Sequence, residues 1–278
     1  MNPTEEWLKA INEKFRKEDV HPKARPFLAL KAFSKQFQCD VAISSDIANV
    51  IRQWFYNNTQ EGSLKIGYLY EGVYYFDSCF WPVFIQIMYS VGRTFNIFDS
   101  LVTMSDILKT EIKSDKKELC NLRSLWVDCF DYAYGYNDII QDSKLKGLAI
   151  NLIKSADKEL RSIAPLLLHD KPEPKAIENA RMSVEMFLKA IIILENQWDE
   201  NKIRNKIGHD LIAAGQEAFN CTHNNEIQQI MRSFALFPDI HERYSGKDWK
   251  SRELWRGYCV AQVVATIFTR LYSGRDSR

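Results

Sequence analysis

The apolar positions of the chain recur mostly with helical spacing. Leu145, Leu148, Ala149, Leu152, Ala156, Leu160, Ile163 and Leu167 follow one another three or four apart, which puts them on one helix face, with Pro165 marking the end. The stretch from Asp170 to Pro174 reads as a turn, and Pro174 suits a first helical turn, where its missing N–H costs nothing. A second stripe follows through Ile177, Ala180, Val184, Phe187, Leu188, Ile191 and Leu194. A short segment over 200–207 closes at Gly208, a C-terminal cap, and Asp210 is placed to cap a helix carrying Leu211, Ala214, Ala218 and Phe219. Ile227, Ile230, Met231, Phe234 and Phe237 run as far as Pro238; Leu254, Tyr258, Ala261, Ala265, Phe268 and Leu271 form the last stripe. Stripes of this kind, joined by short loops, are buried by forming a bundle.

The first half of the chain has a different pattern. Residues 4–18, 22–38 and 45–56 read as three short helices. Leu64, Ile66, Tyr68 and Tyr70 then alternate up to Glu71-Gly72, with Val73 and Tyr75 beyond, which predicts a hairpin turning at Glu71-Gly72. From Pro82 the period looks helical again through Phe84, Ile87, Met88, Val91, Phe95, Phe98, Leu101, Leu108 and Ile112, with a kink at Gly92. A further helix carries Leu119, Leu122, Trp126, Cys129, Ala133 and Tyr136. The expected fold class is all-α with one small β-hairpin. A mainly helical N-terminal domain of no recognised type over 1–140 would precede an up-and-down helical bundle over 144–274. Three helices and a hairpin are also the order of a winged helix-turn-helix. The supposed recognition helix, however, carries only Arg52 as a cation, beside Asp46, which does not suit a DNA reader.

Composition narrows the classes. The 46% hydrophobic and 26% charged residues are those of an ordinary globular protein, and a net charge of +1 confines any polyanion site to a local patch. The six cysteines form no Cys-x-x-Cys pair, so reduced thiols and a cytoplasmic location are expected. The N-terminal residues lack an apolar signal core, and the densest apolar run, Cys79 to Tyr89, is far short of the ~20 residues a membrane span needs. His21, His169, His223 and His241 stand alone, so no metal is expected, and no phosphate-cradling glycine loop is present, so no cofactor is expected either. No histidine–acid constellation accompanies Ser183 or the cysteines.

The chemistry concentrates in Arg204-Asn205-Lys206-Ile207-Gly208-His209-Asp210-Leu211, shortly after Ala180-Arg181-Met182-Ser183-Val184-Glu185-Met186-Phe187-Leu188-Lys189-Ala190. Together these stretches resemble the HEPN superfamily, small helical bundles that bind nucleotides or cut RNA. The resemblance covers about residues 144–274 and implies a homodimer formed through the bundle. Arg204, the polar Asn205 and His209 are similar to the Arg-polar-three-His pattern of the ribonuclease branch. Carried over, Arg204 would clamp the phosphate, His209 would move protons and Asn205 would orient the site. Those chemistries suit the residue types: arginine keeps its charge and its fork, and histidine titrates at ~6.5, near working pH. Active members often carry an aromatic residue two positions after the histidine, where this chain has Leu211. Gly208-His209-Asp210-Leu211 is equally similar to the non-catalytic branch, in which the histidine is structural or ligand-binding. Gly208 would then end one helix, Asp210 would cap the next and Arg204 would be a solvated helix residue.

Two further groups belong to the same question. Arg181, Glu185 and Lys189 stand four apart; on an exposed helix they would form surface ion pairs worth ~0.3–0.5 kcal/mol each. Under the resemblance, the same polar face lines the groove beside His209. Arg243, Tyr244, Lys247, Trp249, Lys250, Arg252, Trp255 and Arg256 interleave cations with aromatics, as single-stranded nucleic acid requires, or else form a solvated loop anchored by its tryptophans. The leading expectation is a module that binds RNA or a nucleotide around Arg204–Leu211 without catalysis of its own. Its substrate-binding residues would be Asn205, Asp210, Arg181, Lys189, Arg243, Tyr244, Lys247 and Trp249. The first alternative is a metal-independent endoribonuclease of the toxin–antitoxin or anti-phage kind, with Arg204 and His209 catalytic. The second is a protein-interaction scaffold. A protein partner would be chosen by the N-terminal domain, and no membrane association is expected.

Overall fold

The computed structural model describes residues 2–42, 45–58, 68–87, 96–141, 145, 147–239 and 248–278. Of the described residues 72% are helical, in eleven α-helices and short 3₁₀ turns, beside one two-stranded antiparallel sheet, so the fold is all-α with a small hairpin. The chain divides into two compact units, Met1–Tyr68 and Leu69–Arg278.

The first unit is built from α1 (Glu5–Lys17), α2 (Arg25–Phe37) and α3 (Asp46–Asn58). Thr4 caps α1, its hydroxyl accepting from the Trp7 amide. Leu8, Phe15, Ala29, Leu30, Phe33, Ala48, Ile51 and Phe55 close a small core of their own. The Trp7 ring meets Phe33 edge-on at 5.2 Å.

In the second unit, β1 (Tyr68–Phe76) and β2 (Cys79–Gln86) form the hairpin. Its turn is Asp77-Ser78, both with positive φ, as a tight primed turn requires. The expected turn at Glu71-Gly72 is therefore corrected: both residues lie inside β1. Gly72 marks a close approach instead. A Cβ there would stand 2.7 Å from Cys129 Sγ and 2.8 Å from Tyr258 Oη. The helix expected from Pro82 to Ile112 is also corrected: residues through Gln86 belong to β2, Phe98 lies in a 3₁₀ turn, Leu101 follows it outside any helix, and among the described residues of this stretch only those from Asp106 onward are α-helical. Val83, Phe84 and Ile85 are buried in succession, and a continuous apolar run of this kind fits a buried strand as well as a helix. Gly92 lies outside the described residues, as does the alternating segment 64–67. A 3₁₀ turn (Ile97–Ser100) and α4 (Asp106–Ser114) lead on to the long α5 (Lys116–Gln141).

The remaining helices are α6 (Gly147–Leu167), α7 (Lys175–Asn196), α8 (Glu200–Lys206), α9 (Leu211–Thr222), α10 (Asn225–Ile230) and α11 (Ser251–Ser273), with a 3₁₀ stretch over Met231–Leu236. The central helix is α7, against which α6, α9 and α11 all pack. Small polar residues let α6 and α7 approach closely: Ser183 donates to the Ala156 carbonyl at 3.1 Å, and Asn179 donates to Ser162 at 2.7 Å.

Helices α5 and α11 run side by side in the same direction. Thr266 donates to the Asp128 carbonyl at 2.9 Å, Arg270 donates to Asp131 at 2.9 Å, and Arg275 pairs with Asp138. The sequence placed a division at 140–144, but the compact units divide at Tyr68/Leu69. Leu122, Leu125, Cys129 and Tyr132 of α5 share one continuous core with α6, α7 and α11, so that helix belongs with the bundle. Among the described residues, no helix is long and apolar enough to cross a membrane.

Candidate functional site

The segment between α8 and α9 is fixed by its own short-range signals. Asp199 caps α8, accepting from the Lys202 amide at 2.7 Å. Gly208 ends that helix with φ +56°, its amide bonding the Ile203 carbonyl at 3.1 Å. Asp210 then caps α9, its carboxylate accepting from the amides of Ile212 and Ala213 at 2.8 and 3.0 Å. Ile203, Ile207 and Leu211 pin the segment to the core. The geometry leaves the intervening residue, His209, at the surface.

Beneath His209 lies a buried ionic network on α7. Glu185 is 2% exposed. Its Oε2 accepts from Arg181 Nη1 at 3.0 Å, and its Oε1 accepts from Lys189 Nζ at 2.7 Å. The same Oε1 lies 2.9 Å from His209 Nδ1, while Arg181 Nη2 donates to the His209 carbonyl at 2.7 Å. One arginine thus ties the carboxylate and the histidine backbone together. Burial works to raise the Glu185 carboxyl, but the hydrogen bond and charge of Lys189, followed by those of His209, outweigh it and hold the group below its ordinary value.

An ionised carboxylate only accepts hydrogen bonds, so Nδ1 of His209 is the donor. Nε2 is then the ring nitrogen without a partner among the described residues, on a side chain 57% exposed. With His209 neutral, Arg181 and Lys189 against Glu185 leave one surplus positive charge under the ring.

The other expected site residues are dispersed. Arg204 is exposed on α8 and donates to Asn201 at 3.2 Å rather than meeting His209. Asn205 is exposed beside it, and the Asp210 carboxylate is engaged as the α9 cap. Arg181 and Lys189 are not the exposed ladder their spacing allowed: their side chains are 6% and 12% exposed. Arg243, Tyr244 and Lys247 lie outside the described residues, and Trp249 is half-buried against the core.

Sequence reasoning treated Glu185 as the middle of an ion-pair ladder, whereas it is the hub of the site. A signal was available. Ala176, Ile177, Ala180, Val184, Ile191 and Ile192 make α7 apolar nearly all round, leaving no solvated face for such a ladder.

A separate cleft of about 680 Å³ opens between β1, the hairpin turn, α5 and α11. It is lined by Trp255, Arg252 and Arg256 but by none of Arg181, Glu185, Lys189, Arg204, Asn205, His209 or Asp210. No protein-family model matches the chain, and no curated protein or solved structure matches it either.

Proposed function

We propose that the part of the chain resembling HEPN domains binds RNA or a nucleotide through the surface around His209, without catalysis of its own. The observation behind this reading is the buried Arg181–Glu185–Lys189 network, which orients an exposed imidazole and leaves a surplus positive charge beneath it. A charge cluster sealed at this depth adds little to stability over an apolar packing, so a role in presenting His209 to an anion accounts for it better. A phosphate oxygen would accept from His209 when the ring is protonated and from the exposed Arg204 at any pH. Arg204 and His209 do not meet within one chain, which suits separate contacts along a strand. Dimerisation through the bundle, a cytoplasmic setting and a protein partner chosen by residues 1–68 complete the proposal.

One observation favours a second reading, a metal-independent endoribonuclease. A carboxylate on Nδ1 fixes the tautomer that leaves the Nε2 lone pair exposed, as a general base for a ribose hydroxyl requires. Incubation of a mixed RNA pool in EDTA with wild type, His209→Ala and Arg204→Ala separates the two. Retention of RNA by wild type, reduced in both variants and without cleavage, is the expected result. Cleavage by wild type alone, leaving 2′,3′-cyclic phosphate ends, replaces the binding reading with the ribonuclease. Neither retention of RNA, nor binding of a nucleotide, nor cleavage would leave the scaffold reading.

A further inference from the structure

The cleft between the hairpin and the parallel helices α5 and α11 has two distinct ends. Along α11 it extends from Arg252 to Val263, ~16 Å at 1.5 Å per residue. Because α5 runs in the same direction, Lys117 stands at the same end as Arg252 and Arg256. Among the described residues, none of these three cations forms an ion pair. Of the acids in the lining, Glu118 follows Lys117 but is engaged by the Tyr74 hydroxyl at 2.7 Å, Asp128 is held by Arg270 at 2.9 Å, and Asp77 sits on the hairpin turn.

At the same end stands Trp255, half-buried and held in place. Its ring meets Tyr74 edge-on at 5.8 Å and lies tilted against Tyr258 at 5.8 Å. A tryptophan fixed on two sides, yet lining an open cleft, is a pre-formed stacking surface, and two arginines one helical turn apart flank it. The volume falls within the ~300–1,000 Å³ typical of small-ligand sites.

We infer that this cleft seats a nucleoside phosphate, with the base against Trp255 and the phosphate on Arg252, Arg256 and Lys117. The site is separate from the His209 surface and does not rest on the reading given to it. The same chemistry is offered by a free nucleotide and by an unpaired nucleotide of an RNA strand.

Calorimetric titration of the full chain tests this in a His209→Ala background, so that failure at one surface is distinguishable from failure at the other. The probes are AMP, adenosine, inorganic phosphate and a 5′-phosphorylated oligoadenylate. AMP is expected to bind more tightly than adenosine or phosphate. Adding Arg252→Ala and Arg256→Ala, both on exposed side chains, should weaken it by about tenfold or more, as loss of charge-assisted hydrogen bonds does. Trp255→Phe, which keeps a ring, should weaken it less than Trp255→Leu. Saturation by AMP supports a free nucleotide as occupant, whereas binding of the oligoadenylate alone, with the same dependence on the arginines, supports a strand-borne one. Failure of both probes to bind overturns the inference. So does binding that ignores the two arginines, or phosphate binding as tight as that of AMP.

Discussion

Glu185 on α7 holds the imidazole of His209 by Nδ1 at 2.9 Å from a position almost sealed against solvent. The pair spans 24 residues of sequence and is clamped from both sides by Arg181 and Lys189. Its importance lies in the asymmetry between partners: the carboxylate is buried and committed, while the imidazole is half in solvent and has one nitrogen left over.

Removing the hub should be far more damaging than removing the ring. Glu185→Gln leaves two cations of 6% and 12% side-chain exposure without their counter-charge. A loss of about 3–5 kcal/mol in urea-induced unfolding is expected, as for other broken buried pairs. His209→Ala should lose less than about 1 kcal/mol, because its ring is already mostly solvated. Equal losses in the two variants would refute the picture of a buried hub serving a surface residue.

Glu185 and Asp128 should give opposite pH signatures. The Glu185 carboxyl lies below its ordinary 4.5 in the folded chain, so its stabilisation is present at neutral pH and disappears as acid takes the solution through the folded value. Asp128 is pushed up to about 6, chiefly by burial and against the opposing effect of Arg270. With a raised folded value, its contribution is full below 3.8 and is lost as pH rises towards about 6. Unfolding free energies between pH 4 and 7 should therefore lose part of their pH dependence in Asp128→Asn. An unchanged profile would show that Asp128 is ordinarily solvated.

At the crossing of α7 and α11, Gly257 leaves no room for a methyl group. A Cβ there would lie 2.0 Å from Ile177 Cδ1. Gly257→Ala is expected to destabilise the chain by about 1–3 kcal/mol despite its better helix propensity. Ile177→Val removes the clashing carbon, so the double variant should recover much of the loss. A simple sum of the two single effects in thermal or chemical unfolding would count against this contact.

Asp210 and Arg204 separate stability from binding. Asp210→Ala removes a cap that accepts from two amides and should lower stability by about 1 kcal/mol. Arg204→Ala touches only an exposed bond to Asn201 and should stay within about 0.5 kcal/mol of wild type, while reducing RNA retention. A clear stability loss in Arg204→Ala would move that residue from the binding surface to the scaffold.

The sequence alone determined the helices from α5 onward and the shape of the Gly208–Asp210 corner, because periodicity, a left-handed glycine and an Asp cap act over a few residues. It also brought Arg181, Glu185, Lys189 and His209 into one question. It did not determine the hairpin turn, since Glu71-Gly72 carries turn-forming residues and only the packing of Cys129 and Tyr258 against Gly72 explains the glycine within a strand. The apolar surroundings on α7 spoke against a solvated ladder, but the sequence did not determine which groups would seal and pair its charges. The strength of an ion pair depends on the dielectric around it, and here that is decided by the loop at His209, whose carbonyl reaches Arg181 across 28 residues. The cleft is likewise a product of tertiary structure. Its lining comes from the hairpin, α5 and α11, and its floor is tied by bonds such as Tyr70 to Gln262, 192 residues apart. No pattern of short period can register contacts at that separation.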